Sequence, residues 1–146
     1  MSDIPMENSK IDAATIAAYQ AAHYEVLDPI PFVLRVGEVS TRLADLLTRE
    51  EVRCVGFITA WNPFSDVVTA ADNSAAQTSL LNELSARGFS TVPGFGRDPS
   101  GQWPGEESLL VIGLPLEEVR QLGIKYRQNA VIWSGEKAVP ELILLR

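Results

Sequence analysis

One cysteine, one histidine and no basic cluster set the first limits on this 146-residue chain. Cys54 has no partner for an intrachain disulfide, and because it opens an apolar run it is expected to be a buried, inert thiol. His23 is the only histidine and falls on an expected N-terminal helix, as a structural or surface residue. No His, Cys and carboxylate cluster has metal-ligand spacing, and a serine triad would have to recruit His23 without a nucleophile-elbow sequence. No metal and no cofactor are therefore expected. No stretch approaches the ~20 apolar residues of a membrane span, and Met1-Ser2-Asp3-Ile4-Pro5-Met6-Glu7-Asn8 lacks the basic and apolar regions of a signal peptide. A cytoplasmic location away from any membrane is the expectation. Twelve Lys and Arg stand against nineteen Asp and Glu, a net charge of −7, and the arginines are scattered singly. Nucleic-acid binding, which relies on neutralising phosphates, is disfavoured. A small ligand or a basic protein partner stays open, and so does the oligomeric state.

With 46% hydrophobic residues, a chain of this length can bury roughly two-thirds of its unfolded surface without a staple. Residues 1–11 are expected to form a poorly ordered tail and residues 12–146 a single α+β domain. Asp12 reads as the cap of a helix through about Tyr24, and Phe32–Val36 as a strand. Ser40 caps a short helix with Leu43, Leu46 and Leu47 on its apolar face. From Cys54 the pattern becomes regular. An apolar strand to Trp61 is followed by a helix over residues 69–87, then by a strand at Phe89–Val92. A second continuous apolar strand, Leu109–Ile112, leads to a helix over residues 116–126 and a strand at Ala130–Trp133. The order β-α-β-β-α-β predicts a ferredoxin-like split β-α-β core, its sheet extended by the N-terminal strand and by a C-terminal strand at Leu142–Leu145.

That topology brings four unusual segments to one end of the sheet. They are Ile58-Thr59-Ala60-Trp61-Asn62-Pro63-Phe64-Ser65, Pro93-Gly94-Phe95-Gly96-Arg97-Asp98, Trp103-Pro104-Gly105-Glu106-Glu107-Ser108 and Arg127-Gln128-Asn129-Ala130. Each sets Gly, Trp or amide residues against the end of an apolar strand. Each also has a plain structural reading. Asn62-Pro63 initiates turns anywhere, Trp61 can cap a core, and Gln128 and Asn129 can serve backbone groups. Gly94-Phe95-Gly96 lacks the third glycine and the following helix of a nucleotide fingerprint. The connection from Gly94 to Glu107 is long for a β-β link, and loops of that size are usually functional or disordered. Acid–base chemistry would fall to Glu106, Glu107 or Asp98, because a carboxylate beside Trp103 and Trp61 has reason for a raised pKa.

The chain resembles an uncharacterised, mainly proteobacterial family of small stand-alone proteins, a domain of unknown function. The resemblance rests on Tyr19 and Tyr24, Leu34-Arg35-Val36-Gly37-Glu38, the Ile58–Ser65 run, Asn73, Gly94-Phe95-Gly96, Trp103-Pro104-Gly105-Glu106 and Gln128-Asn129-Ala130-Val131-Ile132-Trp133. It implies no activity, cofactor or catalytic residue.

Three functional expectations follow. The first is a polar, Trp-lined cleft for a small ligand or peptide segment, built from Trp61, Asn62, Gly94, Gly96, Trp103, Glu106, Gln128 and Asn129, with Trp133 in the strand core. The second is an acidic interaction module such as an inhibitor, immunity protein or adaptor. The third is an enzyme with Glu106 as general acid or base and Asn62 or Gln128 polarising the substrate.

Overall fold

The Asp12 carboxylate accepts the Thr15 N–H at 2.8 Å and starts helix α1, Ala13–Ala21. In the computed structural model, which describes residues 4–101 and 103–146, this helix stops earlier than its spacing suggests. Ala22 is extended, and His23–Val26 forms strand β1 with Tyr24 and Val26 buried and His23 and Glu25 half-buried. His23 thus stands on a strand and not on the expected helix. The Tyr24 hydroxyl donates to the Tyr19 carbonyl at 2.6 Å, satisfying one of the acceptors that the end of α1 leaves open. Of the expected tail, residues 1–3 lie outside the described residues, while Ile11 packs with Ile16 and Leu144.

Strand β2 (Phe32–Leu34) is shorter than expected and pairs with β1. Ser40 caps helix α2 (Thr41–Glu50) by accepting the Leu43 N–H, and Leu43, Leu46 and Leu47 are buried as the spacing requires. Strand β3 (Val55–Ile58) is buried throughout. Thr69 caps helix α3 (Ala70–Ala86), which leads to strand β4 (Thr91–Arg97). Strand β5 (Glu106–Ile112), helix α4 (Leu116–Lys125), strand β6 (Ala130–Ser134) and strand β7 (Glu141–Leu144) complete the chain.

The seven strands form one sheet in the order β2-β1-β4-β5-β3-β6-β7, antiparallel at every pairing. The two continuous apolar runs, β3 and β5, are inner neighbours, and β2 and β7 are the edges. On one face Ile58, Val111, Val131 and Ile143 pack with α3 and α4 through Leu80, Leu84, Val119 and Leu122. On the other, Tyr24, Phe57, Leu110 and Ile132 join the α2 leucines. No described helix is long and apolar enough to cross a membrane.

Strand β4 corrects a second expectation. Pro93, Gly94, Phe95 and Gly96 are not loop residues; they belong to the strand and pair with both neighbours, Gly94 with Val26 and Ser108 and Gly96 with Tyr24 and Glu106. Pro93 is tolerated because its carbonyl, and hence its missing N–H, faces the end of β1, where the Leu27 N–H bonds that carbonyl at 2.9 Å. The loop shrinks to residues 98–105.

The two strand glycines have different reasons to be glycine. A Cβ at Gly94 would stand 2.7 Å from the Phe57 ring and 2.9 Å from the Glu25 carbonyl, whereas one at Gly96 would meet nothing within 4 Å. Gly94→Ala is therefore expected to cost about 1–3 kcal/mol through overpacking. Gly96→Ala should be neutral or slightly stabilising, since glycine in a strand costs conformational entropy. Urea denaturation of both variants checks the contrast.

Candidate functional site

Beyond Ile58 the ladder of β3 gives way to side-chain amides from α3. Asn73 and Gln77 are four residues apart and so share a helix face; both are buried. The Gln77 Oε1 accepts the Ala60 N–H at 2.9 Å. The Asn73 Oδ1 accepts the Asn62 N–H at 2.7 Å, and its Nδ2 donates to the Asn62 Oδ1 at 2.9 Å. The Thr59 hydroxyl donates to the Glu107 carbonyl at 2.5 Å and accepts the Trp61 N–H at 3.0 Å. Every one of these buried polar groups is paired, which is what allows a broken strand end to be buried.

The backbone here is strained. Six non-glycine residues among those described have positive φ, and four of them gather at this end: Asn62 (44°), Phe64 (54°), Ser65 (63°) and Arg127 (57°). The Phe64 N–H donates to the Arg127 carbonyl at 2.6 Å, tying the β3 exit to the β6 entry. Such conformations cost energy and persist only where the surroundings over-determine them.

Asn62 presents its remaining donor, Nδ2, to the Glu106 Oε2 at 3.4 Å. That long contact is the only side-chain hydrogen bond to Glu106 among the described residues. Glu106 and Ser108 share one face of β5 and border a cavity of about 60 Å³. It is also lined by the aromatic residues Tyr19, Tyr24, Phe57 and Trp103, by Thr59 and Gly96, and by the apolar Ala130, Val131, Ile132 and Leu142. No lining residue among those described is Lys, Arg or His. Burial with one weak donor pushes the Glu106 carboxyl up to about 7, and the Asn62 amide holds it from rising further. The Tyr24 hydroxyl is pushed well above the usual phenol range, chiefly by burial and secondarily by Tyr19 and Glu106.

Trp103 is seated by the loop's return to the sheet. Gly105 lies so close to Phe95 that no Cβ fits, and the Arg97 guanidinium stacks 4.8 Å from the centre of the Phe95 ring while bonding Glu25 at 3.0 Å.

The sequence-expected site residues divide into three groups. Gly96, Trp103 and Glu106 line the cavity, and Asn62 reaches it through Glu106. Gly94 lies beneath Phe57. Trp61, Gln128 and Asn129 are nearby but do not line the cavity: the Gln128 Nε2 donates to the Trp61 carbonyl at 3.3 Å and the Tyr126 carbonyl at 3.2 Å. The Asn129 Nδ2 donates to the Tyr19 hydroxyl at 3.0 Å and the Ser65 hydroxyl at 3.1 Å, and its Oδ1 accepts from Arg146 at 3.0 Å. Tyr19, Tyr24, Phe57, Thr59 and Ser108 were missed as lining residues. The alternation of Glu106 with Ser108 was the available signal. At the far end of the sheet Cys54 is half-buried, its thiol donating to the Leu114 carbonyl at 3.3 Å, and burial raises its pKa. Trp133 donates its indole N–H to the same carbonyl at 3.1 Å. No group of three or more His, Cys, Asp or Glu side chains that could hold a metal ion occurs among the described residues.

Residues 58–131, just over half of the chain, match the family described as "Protein of unknown function (DUF3293)". The matched stretch runs from the end of β3 to the start of β6 and includes Asn62, Gly96, Trp103 and Glu106, but not Tyr19 or Tyr24. No curated protein and no solved structure matches the chain.

The raised Glu106 pKa carries a definite sign. A carboxyl whose folded pKa lies above its unfolded value favours the folded state below the unfolded pKa, and that contribution is lost as pH rises through the folded pKa. The window runs from the model-peptide value of 4.5 to about 7. Glu106→Gln, which cannot ionise, is expected to gain stability relative to the parent as pH rises from 5 to 8. Asn62→Gly, which keeps the left-handed backbone but removes the donor, should move the Glu106 midpoint higher. Carbon-detected NMR titration and urea denaturation at both pH values measure these effects.

Proposed function

We propose that this chain, which belongs to the DUF3293 family of proteins of unknown function, is a single-domain binding protein that holds a small ligand against Glu106. One observation carries the reading: a carboxyl with a single weak hydrogen bond among the described residues borders a cavity that is otherwise aromatic, aliphatic and hydroxyl-bearing. Holding a half-buried carboxyl this way is costly, and the β5 backbone at Glu106 is already paired with Gly96 of β4 without help from the side chain. Gly96 supports it, because its backbone does not demand glycine and the space a Cβ would take is open to the cavity. A volume of about 60 Å³ favours a small molecule over a peptide segment. We read the order β4-β5-β3-β6 as a ferredoxin-like split β-α-β core, which delivers the β3 exit and the β5 and β6 entries to one end of the sheet. The lone raised-pKa thiol fits a reducing, cytoplasmic setting.

A second reading, general acid–base catalysis by Glu106, is favoured by its pKa of about 7, which keeps both protonation states populated near neutrality. If it holds, Glu106→Gln should lower kcat roughly 10²–10⁴-fold with little change in KM once a substrate is found.

The binding reading is tested by amide and indole NMR of the labelled chain against a panel of two- to four-atom polar fragments. Shifts concentrated at Gly96, Trp103 and Ser108 are expected, and Gly96→Val, which fills the cavity, should remove them while the spectrum stays dispersed. Fragments that perturb nothing there, or that bind Gly96→Val equally well, would leave the acidic interaction module as the better account.

A further inference from the structure

We infer that the ligand of this cavity is a small organic cation, a primary ammonium group on a short apolar body. The inference rests on the binding reading above and adds the chemical class to it. Glu106 is the only charged side chain on the cavity wall among the described residues. The cations nearby are committed elsewhere. Arg97 pairs with Glu25 and covers Phe95, and Arg146 lies 4.2 Å from the centre of the Phe64 ring while bonding Asn129. Among the described residues the carboxyl therefore has no countercharge on the cavity wall.

The groups around it suit a cation. Four aromatic residues, Tyr19, Tyr24, Phe57 and Trp103, line a volume that holds about two water molecules, and aromatic rings attract cations. The Ser108 and Thr59 hydroxyls can accept further ammonium hydrogens. An anion would meet Glu106 without a cationic residue to compensate. A neutral amide or alcohol would leave the carboxylate's charge unmatched at neutral pH.

Among the described residues, Tyr19 from α1, Tyr24 from β1 and Trp103 from the loop share the cavity wall with Glu106, and Asn62 from the β3 exit contacts it. Glu25 and Arg97 lie on the flanking strands as a pair, and Glu107 is the chain neighbour. Tyr24 stays protonated across the neutral range, so Glu106 alone changes charge inside the cavity there.

The test uses methylammonium and ethylammonium chloride as probes, with ethanol, acetamide and acetate as size-matched neutral and anionic controls, read by the Gly96 and Trp103 NMR shifts. Ethylammonium is expected to bind at least tenfold more tightly than any control. Its affinity should rise about tenfold between pH 6 and pH 8, as a titrating carboxylate with a midpoint near 7 requires. Glu106→Gln should abolish both the preference and the pH dependence while ethanol binding is retained. Tighter binding of acetamide or acetate, or an affinity that falls with pH, would overturn the cation assignment and leave the cavity as a site for another class. Silence from all five probes would overturn the assignment together with the binding reading on which it rests.

Discussion

Two amides one helical turn apart on α3 hold the broken end of β3. Asn73 and Gln77 supply to Ala60 and Asn62 the partners that a neighbouring strand would otherwise provide. Buried amides are costly unless satisfied, so the pairing works in both directions: the strand end needs α3, and the buried face of α3 needs the strand end. Without it Asn62 could not be held at φ 44°, and its side chain could not be aimed at β5. The position of the Asn62 donor to Glu106, the tie from Phe64 to Arg127 and the Asn129 cluster with Tyr19 and Ser65 all follow from that anchorage.

The second constraint is desolvation. Burial raises the pKa of the Glu106 carboxyl, and a 3.4 Å amide contact compensates only partly. A closer donor or an arginine would have lowered the carboxyl's pKa and made it an inert structural anion. The Asn62 amide cannot come closer without giving up Asn73 or the Val68 N–H, which its Oδ1 also accepts at 3.3 Å. The electrostatic character of the cavity is thus set by a residue whose first allegiance is to the fold.

Much of the framework is legible in the residue pattern. The unbroken apolar runs of β3 and β5 mark them as inner strands, and Ser40 and Thr69 mark the starts of α2 and α3. Strand β1 is hidden because Ile16, Tyr19 and His23 happen to keep helical spacing across the real helix end at Ala21. The alternation of Tyr24 and Val26 is too short to compete with an alanine-rich run. Strand β4 is expected at Phe89–Val92 but runs over Thr91–Arg97; its second half is hidden by Pro93 and two glycines, whose low strand propensity is overridden by pairing on both sides. Missing β1 also concealed Tyr24 as a wall residue, although it faces Gly96 across the β1–β4 pairing. The grouping of Asn62, Trp103 and Glu106 at one end followed from strand order alone. Gln128, donating to two backbone carbonyls, follows the plain structural reading its place at a strand entry allows.

The spare room at Gly96 has a practical side. The chain's one thiol, Cys54, lies at the opposite end of the sheet, donates to a carbonyl and has a raised pKa, so it reacts sluggishly. A second thiol introduced by Gly96→Cys would project into the cavity without displacing a neighbour. Disulfide tethering at that point would turn the glycine into an anchor for capturing weak occupants one at a time.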